Sequence, residues 1–389
     1  MDINHSLHLF AQEDWNLIPW PDTPEGQGMR YYFEPMLKEG TKAFINNVNT
    51  KLYILHLDDL FIPICFNYEE YQNASVCSLY SFFIRLQEEL GRHRKYYWIK
   101  MFTSPGLWAI KHFFRLSRIN QVVNINNFLL HTNLCGALSL SDDQIKDIYQ
   151  LLQIKFPNHT IIFRSLNPYS EHKLINSLKL LKNEFITIRP VYIFDPSIYS
   201  SLSAKKRNIM DSDRKLFQNT KIEVLQHSDF KVEDAERVMQ LYNMLYLEKY
   251  SYCHPQFNIR FFEHIITHKT LLELRGLRYD GILVGMLVHF KRKWIMTAPL
   301  VGYDTNLPSS LGLYRMLMSL LTEESLSSGT VFHQSSGVGF FKCQRGTFQE
   351  IETTAVFFAH LPWYRQIVWK IWVLIGRRIV DPLFRKYKP

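Results

Sequence analysis

The residues best suited to chemistry fall between Leu271 and Phe358 of the 389-residue chain. Leu300-Val301-Gly302-Tyr303 closes a stretch that reads as a strand. The short loop Asp304–Ser309 follows, and then a helix with Leu313, Leu317, Leu320 and Leu321 on one face. Ser309 or Ser310 can cap this helix, and Gly329 stands where a C-cap glycine belongs. A strand feeding a helix N-terminus through a short loop is a ready anion site. The first turn has free N–H groups and the positive end of the helix dipole. Gly312 in that turn admits a ligand close to the backbone. A pyrophosphate fits there, although an ordinary strand–helix connection shows the same pattern.

Five groups in or near this region can move a proton: His289, His333, Tyr303, Asp304 and Glu248. His333 lies on the strand expected after the helix, and an imidazole titrates near neutrality. Both histidines read equally well as half-buried structural residues. Asp304 reads equally as a loop-capping carboxylate. Lys342 can meet a phosphate or stay in solvent. Cys343 has no nearby His–Asn/Asp pattern, so it is not read as a nucleophile. The five cysteines form no CxxC or CxxH spacing, and no metal is expected.

The run from GYDTNLPSSLGLYRMLMSLL to SSGVGFFKCQRGTF resembles the catalytic half of the GNAT acyltransferase superfamily. It is most similar to the FemAB-like and CelD-like branch, in which two GNAT folds are joined in tandem. Three features carry the likeness. Ser203-Ala204-Lys205-Lys206-Arg207-Asn208 resembles the S-x-K-x-R-N stretch of that branch. The order of hairpin, strand, loop, helix and strand is the second. Phe341-Lys342 followed by Gly346 resembles its Y-K-x-x-x-G segment.

The resemblance implies an acyl thioester donor, acyl-coenzyme A or an acyl carrier protein, and an amine acceptor. Leu300 and Val301 would meet the pantetheine through their backbone. Pro308, Ser309, Ser310, Leu311 and Gly312 would cradle the phosphates, with Lys342 a further phosphate contact. The amine attacks the thioester directly, so the enzyme positions it, removes its proton and stabilises the oxyanion. His333 then becomes a candidate to take a proton from an ammonium, with His289, Asp304 and Tyr303 as further catalytic candidates. Two features depart from the family. The Q/R-x-x-G-x-G/A phosphate loop is replaced by Leu307-Pro308-Ser309-Ser310-Leu311-Gly312. Phe340 and Phe341 stand where many members place a proton-donating tyrosine.

The elements that must position these groups follow from patterning. Strands are expected at Lys51–Leu55, Phe61–Phe66, Thr160–Phe163 and Phe185–Phe194, with helices at Ser78–Leu90, Leu107–Leu116, Asp142–Leu152 and Glu171–Leu181. Residues 1–40 read as loop. In the second half, helices are expected at Ala204–Phe217, Val232–Tyr250, Ile259–His268, Ser310–Leu326 and Leu361–Val380. Strands are expected at Leu271–Tyr279, Ile282–Phe290, Trp294–Tyr303, Val331–Gln334 and Glu352–Phe358. Asp280-Gly281 is a hairpin turn. The fold class is therefore α/β (α+β), each half a mixed, mostly antiparallel sheet flanked by helices. The Asp195-Pro196 turn divides a divergent N-terminal GNAT-like domain, 1–195, from a catalytic one, 196–389, that ends in an amphipathic helix.

A composition 47% hydrophobic and 21% charged excludes a disordered chain. The net charge of +9 is concentrated in two stretches, Gly91–Arg118 and Leu361–Pro389, each with seven Lys/Arg. No run approaches the roughly 20 apolar residues of a membrane span, and a cytoplasmic protein is expected. The last helix, with three tryptophans and a basic face, suits either an anionic membrane surface or docking on the protein's own core. The aromatic run Tyr242–Phe257 reads as an acceptor-binding wall or a core helix. The expected function is N-acyl transfer from acyl-coenzyme A or a carrier protein to an amine of a small metabolite or envelope precursor. The alternatives are a Fem-type transferase using aminoacyl-tRNA, the case in which nucleic acid is a partner, and a non-catalytic lipid- or nucleic-acid-docking module.

Overall fold

The structure, a computed structural model, describes residues 6–92, 112–218, 221–268 and 270–386. Most of the basic stretch Gly91–Arg118 and the start of the expected helix Leu107–Leu116 lie outside these residues, and 112–116 are helical. Twelve strands among the described residues form one sheet. They are β1 (Leu7–Phe10), β2 (Lys51–Leu57), β3 (Leu60–Asn67), β4 (Val122–Ile125), β5 (Thr160–Leu166) and β6 (Glu184–Phe194) in the first half. The second half gives β7 (Ile222–Leu225), β8 (Leu272–Tyr279), β9 (Ile282–Arg292), β10 (Ile295–Tyr303), β11 (Val331–His333) and β12 (Phe348–Phe357).

The spatial order is β1-β2-β3-β4-β5-β12-β6-β11-β10-β9-β8-β7. Read from either end, each strand has its counterpart six strands later in the chain. The two parallel pairs, β4·β5 and β10·β11, are counterparts too. The sheet is thus a two-fold repeat whose last strands are exchanged. β12 lies beside β5 of the other half, β6 lies beside β11, and the two pair with each other along most of their length. The division near Asp195 therefore separates two repeats of one continuous sheet.

Local chemistry explains the elements. The hairpin β8–β9 turns at Asp280 and Gly281, both at positive φ, as a type I′ turn requires. The helix Asp142–Lys155 starts in a capping box of Ser141 and Gln144. The expectation of loop over residues 1–40 fails. Pro24–Glu39 is α1, begun by Thr23 as cap with Pro24 at its first position, and it buries Met29, Tyr32, Phe33, Met36 and Leu37. The Pro/Gly content there marks the start of a helix. The long helix expected at Val232–Tyr250 is broken: α2 (Ala235–Asn243) widens into a π turn at Met244–Glu248.

The main core joins the halves. Tyr32 and Phe33 of α1 pack with Phe128, Phe261 and Phe290. A second cluster lies under α3 (Leu313–Ser328), whose Leu313, Met316, Leu317 and Leu321 cover Leu277, Leu287 and Met296 of the sheet. This packing fixes α3 against β8, β9 and β10.

Candidate active site

The site is built where β10 and β11 part. The two strands pair in parallel only at Ile295–Val331, Met296–Phe332 and Thr297–His333. On the other side of β10, pairing with β9 is interrupted between Thr297 and Leu300, so Ala298 and Pro299 form an irregular step. Beyond it the chain after β11 turns away through Ser335, Gly337 and Val338, all at positive φ. The gap opens into a cavity of about 690 Å³.

Both halves line it. β10 gives Ala298, Pro299, Val301 and Tyr303; the turn after β11 gives Gln334 to Val338 and Lys342; α3 gives Tyr314 and Met318. The π turn and the segment after it give Leu245, Tyr246, Lys249, Tyr250 and His254. The first half adds Phe82, Arg85, His131, Ile188, Arg189 and Pro190. The aromatic run Tyr242–Phe257 thus does two things. Tyr242 is core, and Tyr246 and Tyr250 form a cavity wall.

Lys342 is a buried amine of this cavity, 2% exposed. Its Nζ donates to the carbonyls of Gln334 (2.6 Å) and Ser336 (2.7 Å). Burial pushes its pKa down to about 7, and the Arg189 guanidinium adds to that. Two carbonyls use two N–H bonds of an amine. The remaining tetrahedral position holds a proton in the ammonium and a lone pair in the neutral amine.

Also in the cavity lining, a chain of polar groups crosses between the halves. Arg85 Nη1 lies 3.2 Å from His131 Nδ1, and His131 Nε2 lies 2.8 Å from His254 Nδ1. A guanidinium only donates, so His131 carries its proton on Nε2 and gives it to His254 Nδ1. Burial, His254 and Arg85 together hold the His131 pKa well below the usual histidine range. Arg189 donates to the His131 carbonyl at 2.8 Å and grips Glu352 through two bonds. The loop that carries His131 is held by its own asparagines. Asn126 donates to the Asn133 carbonyl, and Asn127 and Asn133 accept from Leu129 and Phe128. That Asn-rich run was the sequence signal for a built loop. No sequence pattern marks Arg85, Arg189 or the pairing of His131 with His254.

The residues singled out from the sequence divide. Val301, Tyr303 and Lys342 line the cavity. His333 does not. It is buried at 1%, its Nδ1 accepts from the Ser335 N–H, and burial near Arg189 and Lys342 drives its pKa to about 3. Such an imidazole is a poor base at neutral pH. His289 is also outside the cavity, buried on β9 with Glu324 3.6 Å away, its pKa pushed down to about 4 by burial. Asp304 is held by Arg237 at 2.7 Å and turns its other oxygen to the Asn306 N–H. The Leu300 side chain packs in the core on the far side of β10. Glu248 lies at the end of the π turn and is not among the lining residues. Ser309 and Ser310 do not cap α3. Ser309–Leu311 form a separate 3-10 turn, and Gly312 is the N-cap at φ +74°, without a side-chain bond to the helix. Pro308, Ser309 and Ser310 are exposed.

Residues 203–334 match the family model for an acetyltransferase (GNAT) domain. This segment is a GNAT domain. The chain is accordingly an acyltransferase, and the architecture is the mixed, mostly antiparallel one expected. No protein of curated function matches the sequence. Solved structures similar to the chain include L-PGS from Bacillus licheniformis, 15% identical, covering 61% of this chain and 79% of that one at a TM-score of 0.44. FemX is 9% identical over 59% of this chain and 79% of its own, TM-score 0.42. A tandem GNAT protein from the clavulanic acid biosynthesis pathway is 7% identical over 90% and 98%, TM-score 0.38.

A GNAT domain implies acyl-coenzyme A, and its parts fit this chain unequally. The gap between β10 and β11 is a passage for a slender chain, bordered by Ala298 and Val301 on one side and Gln334 to Gly337 on the other. At the phosphate end the uncapped first turn of α3 offers backbone N–H groups. The arginines nearby are engaged: Arg315 and Arg345 both bind Asp213, and Arg214 binds Glu323. His264 and His268, four residues apart, stack at 4.4 Å, and no group of three or more metal-binding residues is found among the described residues. No helix of the described residues is long and apolar enough to cross a membrane.

Proposed function

We propose that this GNAT domain moves an acyl group from a thioester to an amine, inside the cavity where β10 and β11 diverge. The donor is acyl-coenzyme A or an acyl carrier protein, its pantetheine lying along Val301 and its phosphates on the turn 308–312. The observation that carries the reading is Lys342, a buried amine with a pKa of about 7 lining that cavity. A general base works best when its pKa lies near the working pH. Neutral Lys342 takes the proton from the attacking ammonium. The freed amine adds to the thioester carbonyl, the C–N bond forms, and the C–S bond breaks. The Lys342 ammonium gives its proton to the departing thiolate, and Lys342, neutral again, takes the second proton from the adduct's nitrogen and releases it to solvent, leaving a neutral amide and a thiol. Tyr303 and Tyr314 face the same space and replace the hydroxyl that Phe340 and Phe341 lack.

The size of the cavity favours an acceptor larger than ammonia, seated against Tyr246, Tyr250 and His254. The test is calorimetric titration with acetyl-coenzyme A and a long-chain acyl-coenzyme A, beside thiol release with a panel of amines. Ala298→Trp, which fills the gap, should abolish thioester binding. Failure of both thioesters to bind the unmodified protein overturns a coenzyme A donor. Binding unaffected by Ala298→Trp overturns its placement.

A further inference from the structure

The C-terminal helix α4 (Trp363–Ile375) has two apolar faces. One belongs to the fold. Arg365, Val368 and Trp369 are buried, and Trp372 stacks on Phe83 and Phe114. The other faces solvent. Trp363, Ile367, Ile371 and Leu374 follow at helical spacing and are 73%, 45%, 40% and 56% exposed. At 100° per residue Lys370 falls on one border of this stripe and is exposed, and Arg377 and Arg378 in the π turn 376–380 that follows are exposed as well. Phe113 and Leu116, either side of Phe114 in the chain, are exposed as well.

We propose that this stripe docks the protein on an anionic phospholipid surface. A continuous exposed apolar face of this kind marks an interaction site. Its charge selects the partner. A two-fold contact with a second copy would bring the basic border against itself, whereas anionic headgroups complement it. Trp363 and Tyr364 at one end have the amphipathic rings that settle at a bilayer interface. The segment also leads to the cavity. It continues through residues 376–386 to Phe384, which lines the cavity and accepts a hydrogen bond from Gln349 Nε2 at 3.2 Å. Docking therefore sets the cavity mouth beside the lipid surface. Only this last consequence rests on the acyl-transfer reading.

The experiment is co-sedimentation of the full chain with phosphatidylglycerol/phosphatidylcholine vesicles and with phosphatidylcholine vesicles. It compares the unmodified protein with Ile367→Asp/Ile371→Asp/Leu374→Asp and with Lys370→Glu/Arg377→Glu/Arg378→Glu. The unmodified protein is expected to bind anionic vesicles at least about tenfold more tightly than neutral ones. Both variants should lose that binding while keeping the melting temperature and turnover of soluble substrates. No binding to anionic vesicles at low salt overturns the proposal. So does equal binding by the variants, or a dimer in light scattering that the aspartates split. Vesicle binding without any thioester turnover would sink the acyl-transfer reading and leave this one standing.

Discussion

His254 Nδ1 lies 2.8 Å from His131 Nε2, and the two imidazoles come from opposite repeats of the sheet. With Arg85 behind it, His131 is held neutral and in a fixed tautomer beside the cavity. His131→Asn keeps a donor but loses the contact with Arg85. It is expected to raise KM for the amine acceptor several-fold with a smaller change in kcat, because His254 then loses its orientation. Steady-state kinetics with the best amine found decides this. A pure loss of kcat would place the pair in proton transfer instead.

Lys342 should set the pH profile. As a base it works when neutral, so kcat/KM rises with pH through about 7 and levels off above it. Lys342→Ala should cost on the order of 100-fold or more in kcat. Lys342→Arg should not restore it, since a guanidinium keeps its proton. An activity that falls as pH rises through 7 would make the ammonium the working form.

Buried neutral histidines make the fold acid-sensitive. His289 and His333 have pKa values of about 4 and about 3, below the unfolded value near 6.5. Above pH 6.5 neither state binds the extra proton and stability is unaffected. As pH falls below 6.5 the unfolded chain takes up protons that the folded one refuses, and stability is lost. At pH 5 the loss is about 2 kcal/mol per histidine. Urea denaturation at pH 7.5 and pH 5 measures it, and His289→Gln should shrink the difference by about 2 kcal/mol, leaving the share due to His333. Equal stability at both pH values would contradict the burial of these rings.

The exchanged strands are tied by a buried ion pair. Arg189 on β6 holds Glu352 on β12 through bonds of 2.9 and 3.1 Å, and Glu352 is 3% exposed. Glu352→Ala strands the guanidinium and should cost about 3–5 kcal/mol. Because β12 completes the first repeat and β6 the second, residues 1–195 and 196–389 made separately should fold only when mixed. Circular dichroism of each fragment and of the mixture tests this.

Gly302 is a packing requirement. A Cβ there would lie 2.6–2.7 Å from the backbone of Leu241 and Tyr242, where α2 crosses β10. Gly302→Ala should cost roughly 1–3 kcal/mol, since the neighbours are backbone and cannot turn aside. At Gly312 the Cβ would meet the flexible Leu216 side chain, and the penalty there is mainly the positive φ, about 1–2 kcal/mol. Thermal melting of the two variants, with Gly302→Ala the lower or equal, checks both.

Much of this was local and therefore legible. Period-two strands, the Asp280-Gly281 turn and the Ser141 cap depend on a few neighbouring residues, so the sequence determined them, and with them the alternation of strand and helix that resembles a GNAT domain. The resemblance also pointed to Val301, Tyr303 and Lys342, which line the cavity, although Lys342, expected at a phosphate, is buried against the Gln334 and Ser336 carbonyls. Pattern failed where one residue type serves two ends. Pro24 and Gly26 look like loop and begin a helix, and His333 looks like a base at neutral pH until burial removes its basicity. What only the tertiary structure decided is non-local. The strand exchange, the meeting of Arg85, His131 and His254, and the pKa of Lys342 each depend on groups far apart in the chain, brought together by the sheet. A carboxylate, an imidazole or an amine has its ordinary chemistry in the sequence. It acquires its particular chemistry only when the fold fixes how much water, and which charges, surround it.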